Sequence, residues 1–199
     1  MQDEERLLAE VQDEFGLIRV YEVGDYRFLE FGAAVEQSCV FTPAPSWLEY
    51  DYTRAMLIGA LCHPAPETAL FLGLGAGTLT QACLEFLPLE DVEAIELRPA
   101  VPELAMRYLG LQNDVRLYIR IGDAVELLES AESADLVFVD LYTDVGPAAA
   151  HLAWNFLKRC QEKLNPGGWL GINQWGTDEG KPLGAALLRG LFHRHYWEC

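Results

Sequence analysis

From Thr68 onward the chain alternates short apolar runs with helix-patterned segments. The first apolar run breaks into glycine at every second position: TALFLGLGAGTL, residues 68–79. An apolar run that ends in a glycine loop and opens a helix restricts the fold sharply. Glycine lets the backbone turn and approach a ligand closely where a strand hands over to a helix. The pattern predicts strands at 68–73, 92–96, 115–120, 135–140 and 168–173, and helices at 77–87, 99–109, 123–130, 148–164 and 182–193. Four of these strands are continuous apolar runs, as when helices cover both faces of a sheet. The class is therefore α/β, a doubly wound domain with a mostly parallel sheet. NPGGW (165–169) reads as a turn between a helix and its next strand, and HYWEC (195–199) as the start of another strand.

Upstream the period differs. Leu7, Leu8 and Val11 share one side of residues 3–14 and acids occupy the other, which predicts an amphipathic helix. LIRVYEV (17–23), YRFLEF (26–31) and AAVEQ (33–37) are short β-rich runs separated by Gly24-Asp25 and Gly32, a small antiparallel region of hairpins. After TPAP (42–45), residues 46–61 read as a helix with Ser46 as its N-cap. Two units are expected: 1–62 with the N-terminal helix, hairpins and linking helix, and 63–199 with the parallel sheet.

The chain has 199 residues, 51% hydrophobic and 23% charged, which suffices for a globular core. Its formal charge of −17 repels phosphate backbones and attracts cations, so no nucleic-acid partner is expected and a cationic ligand is favoured. No apolar run approaches the roughly 20 residues that span a bilayer, so no membrane partner is expected. The acidic start MQDEERLLAEVQDEF lacks the features of a signal peptide. Five scattered cysteines form no CxxC pair and fit a reducing cytoplasm, the expected location. His63, His151, His193 and His195 show no ligand spacing, and no metal is expected.

The loop spacing selects among nucleotides. Gly73 and Gly75 fit a dinucleotide fingerprint, but its third glycine position is Thr78, and no phosphate-binding lysine follows. The G-x-G-x-G form of Gly73, Gly75 and Gly77 around Ala76 is similar to class I methyltransferase-type, Rossmann-like domains that bind S-adenosylmethionine. Glu96, which ends the second strand about 20 residues later, is placed to accept from ribose hydroxyls. Asp123, with Ala124 beside it, opens the helix after the third strand. It can accept from an adenine amino group, act as a helix N-cap, or do both.

The segment ADLVFVDLYTDVGPAAAHLAWNFLKRCQEKLNPGGWLGINQW (134–175) resembles the spermidine synthase family, the polyamine aminopropyltransferases. Asp140, Gly146, Pro147, the NPGG turn and Gln174 carry the resemblance. AIELRPAVPELAMRYL (94–109) and the N-terminal hairpins followed by Tyr52 extend it. The resemblance implies decarboxylated S-adenosylmethionine, or S-adenosylmethionine itself, as co-substrate, and a small cationic amine as acceptor. It implies Asp140, Tyr142 and Asp144 as catalytic residues, Asp140 also touching the nucleoside side, with Tyr52, Gln37 and Gln174 on the amine side. Family members are often dimers, so a homodimer is implied too, and they usually continue beyond the position of Cys199 to complete the sheet. Four positions depart from the family pattern: Ala76 and Arg54 stand where acids are usual, Thr143 replaces the loop's second Asp, and Asp144 follows one residue late. Three activities remain open at this point: aminopropyl transfer, methyl transfer on the same scaffold, and nucleoside binding without turnover.

Overall fold

The computed structural model describes residues 4–32, 35–142, 153–174 and Leu191. Two sheets organise them. The first is antiparallel, in the order β1 (Arg6–Asp13), β2 (Gly16–Val23), β3 (Tyr26–Phe31) and β4 (Val35–Phe41). Its inner face is dry: Ile18, Val20, Leu29 and Val40 are fully buried.

The helix expected over residues 3–14 is therefore a strand, and the correction has a local cause. The β1–β2 register slips between Leu7 and Ala9, so a bulge at Leu8 interrupts the period of two. Leu7, Leu8 and Val11 then imitate a helical stripe, although Ala9 and Val11 alternate inward as a strand requires.

The linking helix α1 spans Asp51–Leu61 rather than 46–61, and its N-cap is Tyr50, not Ser46. Residues before it turn instead: the Trp47 amide donates to the Ala44 carbonyl, and Leu48 enters the core. The Thr53 hydroxyl and the Arg54 guanidinium bind the carbonyls of Tyr50 and Leu48, which fastens that turn to the helix. α1 packs against the last strand of the second sheet and against the helix after the glycine loop.

The second sheet is parallel throughout. Its strands are β5 (Thr68–Leu72), β6 (Asp91–Glu96), β7 (Leu117–Ile121), β8 (Ala134–Val139) and β9 (Leu164–Ile172), in the order β7-β6-β5-β8-β9. The order reverses between β5 and β8, the position where such sheets open a ligand crevice at the strands' carboxyl ends. The crossovers are α2 (Thr78–Phe86), α3 (Ala100–Tyr108), the one-turn α4 (Ala124–Leu127) and α5 (Trp154–Glu162). A 3₁₀ turn at Leu128–Ser130 completes the segment expected as one helix over 123–130. Of the expected helix 148–164, residues 148–152 lie outside the described residues, as do nearly all of helix 182–193 and strand 195–199.

NPGG is not a separate turn. It lies within β9, opposite a register slip between Ala134 and Leu136. Asn165 Nδ2 donates to Asp135 Oδ1 at 2.9 Å, while Asp135 Oδ2 accepts the amides of Glu67 and Thr68. One carboxylate thus ties the entrances of β5, β8 and β9 together. No described helix is long and apolar enough to cross a membrane.

Candidate active site

The glycine loop follows β5 at the order reversal. Gly73, Gly75 and Gly77 all have positive φ, at +96°, +56° and +77°. The first two are also required by close approach. A Cβ on Gly73 would lie 2.1 Å from the Asp140 carbonyl oxygen, and one on Gly75 would lie 2.7 Å from Ser38 Oγ. Two neighbours thus press on the loop: the end of β8 and, from the antiparallel sheet, β4. The Ala76 amide donates to Ser38 Oγ at 3.1 Å, and Ala76 is 2% exposed. Ser38 carries no motif of its own, and nothing in the sequence distinguished it.

Glu96 ends β6 and is buried. Its Oε2 accepts the amides of Leu74 (3.1 Å) and Gly75 (3.4 Å), and its Oε1 accepts the Arg98 amide (3.0 Å). Burial pushes this carboxyl above its ordinary range, and the three amides offset that only in part. A carboxylate offers about four lone-pair sites, so capacity for one further donor remains. Arg98 itself reaches away, with Nε and Nη2 on the two oxygens of Asp13 (2.9 and 2.6 Å), Nη2 also on the Gly16 carbonyl (2.7 Å), and its guanidinium over the Phe31 ring (4.4 Å). The β1–β2 turn is thereby fastened beside Glu96.

Asp123 caps α4, its Oδ1 accepting the Val125 amide at 2.7 Å; the side chain is exposed while Ala124 is buried. The capping role is thus present.

Asp140 directly follows β8. Its amide donates to the Leu72 carbonyl, which locks its backbone against β5. Asn173, at the end of β9, donates from Nδ2 to Asp140 Oδ1 at 2.9 Å. The Tyr52 hydroxyl, from α1, donates to Oδ2 at 3.3 Å. α1 lies across β9 at Gly171, where a Cβ would meet the Phe138 ring at 3.2 Å and Met56 Cε at 3.7 Å. Among the described residues Asp140 has no ion-pair partner. Burial raises its pKa, and the bonds from Asn173 and Tyr52 only moderate the rise. Burial and the adjacent Asp140 also push the phenols of Tyr52 and Tyr142 upward, so both stay protonated near neutral pH.

Tyr52 stacks on Tyr50 with ring centroids 5.8 Å apart, and Tyr50 donates to Glu36 on β4. Gln37 lies between Glu36 and Ser38, at the β-bulge of β4. Arg54, whose charge would oppose a cation inside the site, is held by Asp51 and the Leu48 carbonyl. Gln174 follows Asn173, and its Oε1 and Nε2 are buried without a hydrogen-bond partner among the described residues. Asp144, Thr143, Gly146 and Pro147 lie outside the described residues. The structure therefore gathers Gly73, Ala76, Glu96, Tyr52, Asp140 and Tyr142 around the carboxyl ends of β5, β6 and β8. It adds Ser38, Tyr50 and Asn173, which sequence reasoning missed because each gains its meaning from a partner distant in the chain.

Comparison with known proteins agrees with this geometry. A polyamine aminopropyltransferase of Vibrio vulnificus is 27% identical over 187 residues, 90% of this chain and 62% of the relative. One from Chromobacterium violaceum is 26% identical over 81% of this chain and 63% of the relative. The chain thus spans about three fifths of the length of these relatives. A zebrafish (Danio rerio) eEF1A lysine and N-terminal methyltransferase is 32% identical over 54% of this chain and 17% of the relative. A spermidine synthase solved with the transition-state analogue AdoDATO superposes with a TM-score of 0.77 at 18% identity, over 94% of this chain and 64% of that one. Human methyltransferase-like protein 13, solved with SAH, gives 0.55 at 23% identity, over 61% and 63%. The first superposition extends over nearly the whole chain; the second matches a smaller share of it. Residues 51–175, more than half of the chain and most of the site just described, match the family model of the spermine/spermidine synthase domain, and the chain belongs to that family.

Proposed function

We propose that this chain transfers an aminopropyl group from decarboxylated S-adenosylmethionine to a small cationic amine. The observation that carries the proposal is Asp140: a carboxylate at the order reversal with no ion-pair partner among the described residues, its peptide pressed on Gly73 and its side chain ringed by Tyr52, Asn173 and Tyr142. Such a group suits an arriving ammonium, whose charge offsets the burial that disfavours the ionised carboxylate.

The residues present fit an adenosyl sulfonium. Glycine keeps side chains off the loop, Glu96 retains one acceptor position, and Asp123 is exposed beside the crevice. The sulfonium supplies the leaving group. The amine enters protonated (reference pKa about 10.4 for an alkylammonium) and must lose a proton before it can attack. Asp140 holds the ammonium and accepts that proton. The nitrogen lone pair then forms the new C–N bond at the propyl carbon, and the C–S bond breaks with its electron pair passing to sulfur. Methylthioadenosine leaves as a neutral thioether. Tyr52, kept protonated, donates to Asp140 and lines the amine's approach, with Tyr50 and Glu36 further out. Tyr142 borders the same carboxylate, and Gln37 and Gln174 flank the amine. Asp144 is assigned by resemblance to the same proton chemistry.

In this reading residues 1–62 contribute Tyr52, Tyr50 and Gln37 to the amine side, 63–199 contribute Asp140 and the nucleoside side, and a homodimer is the assembly. Methyl transfer is the second reading, favoured by Ala76, which leaves no acid at the loop to oppose a ligand carboxylate. Supplying decarboxylated S-adenosylmethionine with a panel of diamines tests the proposal: methylthioadenosine should be released, and Asp140→Asn should abolish the release. Absence of release across the panel, with tighter binding of intact S-adenosylmethionine by calorimetry, would replace aminopropyl by methyl transfer.

A further inference from the structure

Asn173 belongs to no motif, yet it makes the shorter of the two side-chain bonds to the proposed proton acceptor. Its amide nitrogen donates to the Val139 carbonyl at 2.9 Å, so β9 delivers it beside Asp140 in register. Asp140 is itself fixed to β5 through its own amide, which leaves only side-chain torsions undetermined. Asn173 Nδ2 removes that freedom by holding Oδ1 at 2.9 Å, whereas Oδ2 has only the long 3.3 Å contact from Tyr52. An ionised carboxylate can only accept, so the amide must present its nitrogen. A carboxamide does not titrate in the neutral range and cannot take the proton itself.

We propose that Asn173 is a positioning residue for the proton transfer: it occupies Oδ1, fixes the plane of the carboxylate, and reserves Oδ2 for the amine proton. This rests on the reading of Asp140 as proton acceptor. The proton passes from the substrate nitrogen to Oδ2, displacing the weak Tyr52 bond, while the Asn173 bond to Oδ1 persists. Asn173 therefore also favours the charged form of Asp140 against the burial that opposes it. The titratable groups facing Asp140 among the described residues are Tyr52 from α1 and Tyr142 from the loop after β8. Both phenols are pushed up, so neither changes charge in the range where the carboxyl titrates.

The test is a titration of Asp140 in the full chain labelled with ¹³C-carboxyl aspartate, the resonance being identified by its absence in Asp140→Asn. Asn173→Leu should raise the midpoint by about one pH unit or more. The dissociation constant for methylthioadenosine, which reports on the other side of the site, should stay within about twofold of the wild type. With a diamine as acceptor, the acid limb of kcat should move upward by the same amount, while KM for the nucleoside is unchanged. Asn173→Ser, smaller and too short to reach Oδ1, carries the same comparison if the leucine variant does not fold. An unmoved midpoint overturns the assignment, whether or not the chain turns over. A moved midpoint without aminopropyl transfer would uphold the role of Asn173 on Asp140 and count against the proposed function alone.

Discussion

The two sides of the site are built in opposite ways. The nucleoside side is made largely of backbone. Glu96 binds the amides of Leu74, Gly75 and Arg98, and the loop's geometry comes from glycines that tolerate positive φ. The amine side is assembled from side chains of three separate elements: Tyr52 on α1, Asp140 after β8 and Asn173 after β9. A backbone cradle can be encoded by a spacing, whereas a side-chain cluster depends on how the elements pack. That difference accounts for why the glycine loop keeps its spacing here while neighbouring amine-side positions, such as Arg54, depart from the family pattern. Arg54 is accommodated by turning its charge onto Asp51 and Leu48, a solution that needs no change in the loop.

The comparison can be broken most severely at the point where the two sides touch. Gly73→Ala puts a Cβ against the Asp140 carbonyl at a φ that L residues rarely adopt. Urea denaturation should show a loss of at least about 3 kcal/mol, or no folded protein at all. A stable variant would mean that β5 and β8 separate more easily than this packing allows.

Asp140→Asn acts chiefly on the amine side. Product release should fall by about 100-fold to 10,000-fold with nucleoside affinity retained. The same substitution has a pH signature. The folded pKa of Asp140 is raised, so the native state binds more protons than the unfolded one between the two values. The stability gained by staying protonated is complete below the unfolded pKa of about 4 and is lost as pH rises through the folded value. Thermal melting as a function of pH should therefore decline less steeply above pH 4 in Asp140→Asn, and equal slopes would contradict the burial assigned to this carboxyl.

Asp13→Asn loosens the β1–β2 turn from the nucleoside side. Burial works against the Asp13 carboxylate, but its bonds to Arg98 and to the Phe15 amide outweigh that and hold its pKa low. Removing the charge leaves Arg98 buried without its counter-ion and should cost about 2–3 kcal/mol. Methylthioadenosine affinity should weaken along with stability, and stability lost with affinity intact would separate the turn from Glu96.

The smallest effect is expected at Asp123. Asp123→Ser keeps a hydroxyl able to cap α4 but withdraws the carboxylate, so melting should hardly change. Nucleoside affinity should drop by about tenfold if the carboxylate also binds the adenine amino group. Unaltered affinity would leave Asp123 as a cap only.

Much of the fold was legible because the parallel sheet writes itself in apolar runs and glycine punctuation. The five strands fall within a few residues of their expected positions, β9 excepted. Its start at Leu164 was hidden because NPGG has turn chemistry, and only the Asn165–Asp135 bond and the bulge opposite β8 draw it into the strand. Residues 6–13 were misread for a related reason. A bulge at Leu8 shifts the apolar phase, and pairing with β2, which no local window contains, overrides the helical pattern. In the site, Glu96 was expected from its distance to the loop and Asp123 from its place at the start of the helix after the third strand; the structure sets Glu96 on the loop's amides and Asp123 on the cap of α4. Asn173, Ser38 and Tyr50 were invisible, because an asparagine, a serine and a tyrosine acquire their roles only through partners 33, 38 and 14 residues away.

Local chemistry along the chain was sufficient for the α/β class, the strand-to-loop handover at Gly73 and the carboxylate at the end of β6. These follow from side-chain period and backbone torsion, which are properties of neighbouring residues. Packing alone settled that β4 presses Ser38 onto the loop, that Arg98 faces Asp13 rather than the site, and that Tyr52 and Asn173 share one carboxylate. The reason is physical: a hydrogen bond of about 3 Å between distant segments exists only after strand order and helix approach have been chosen. Those choices are made by burial of the whole core and not by any one stretch of it.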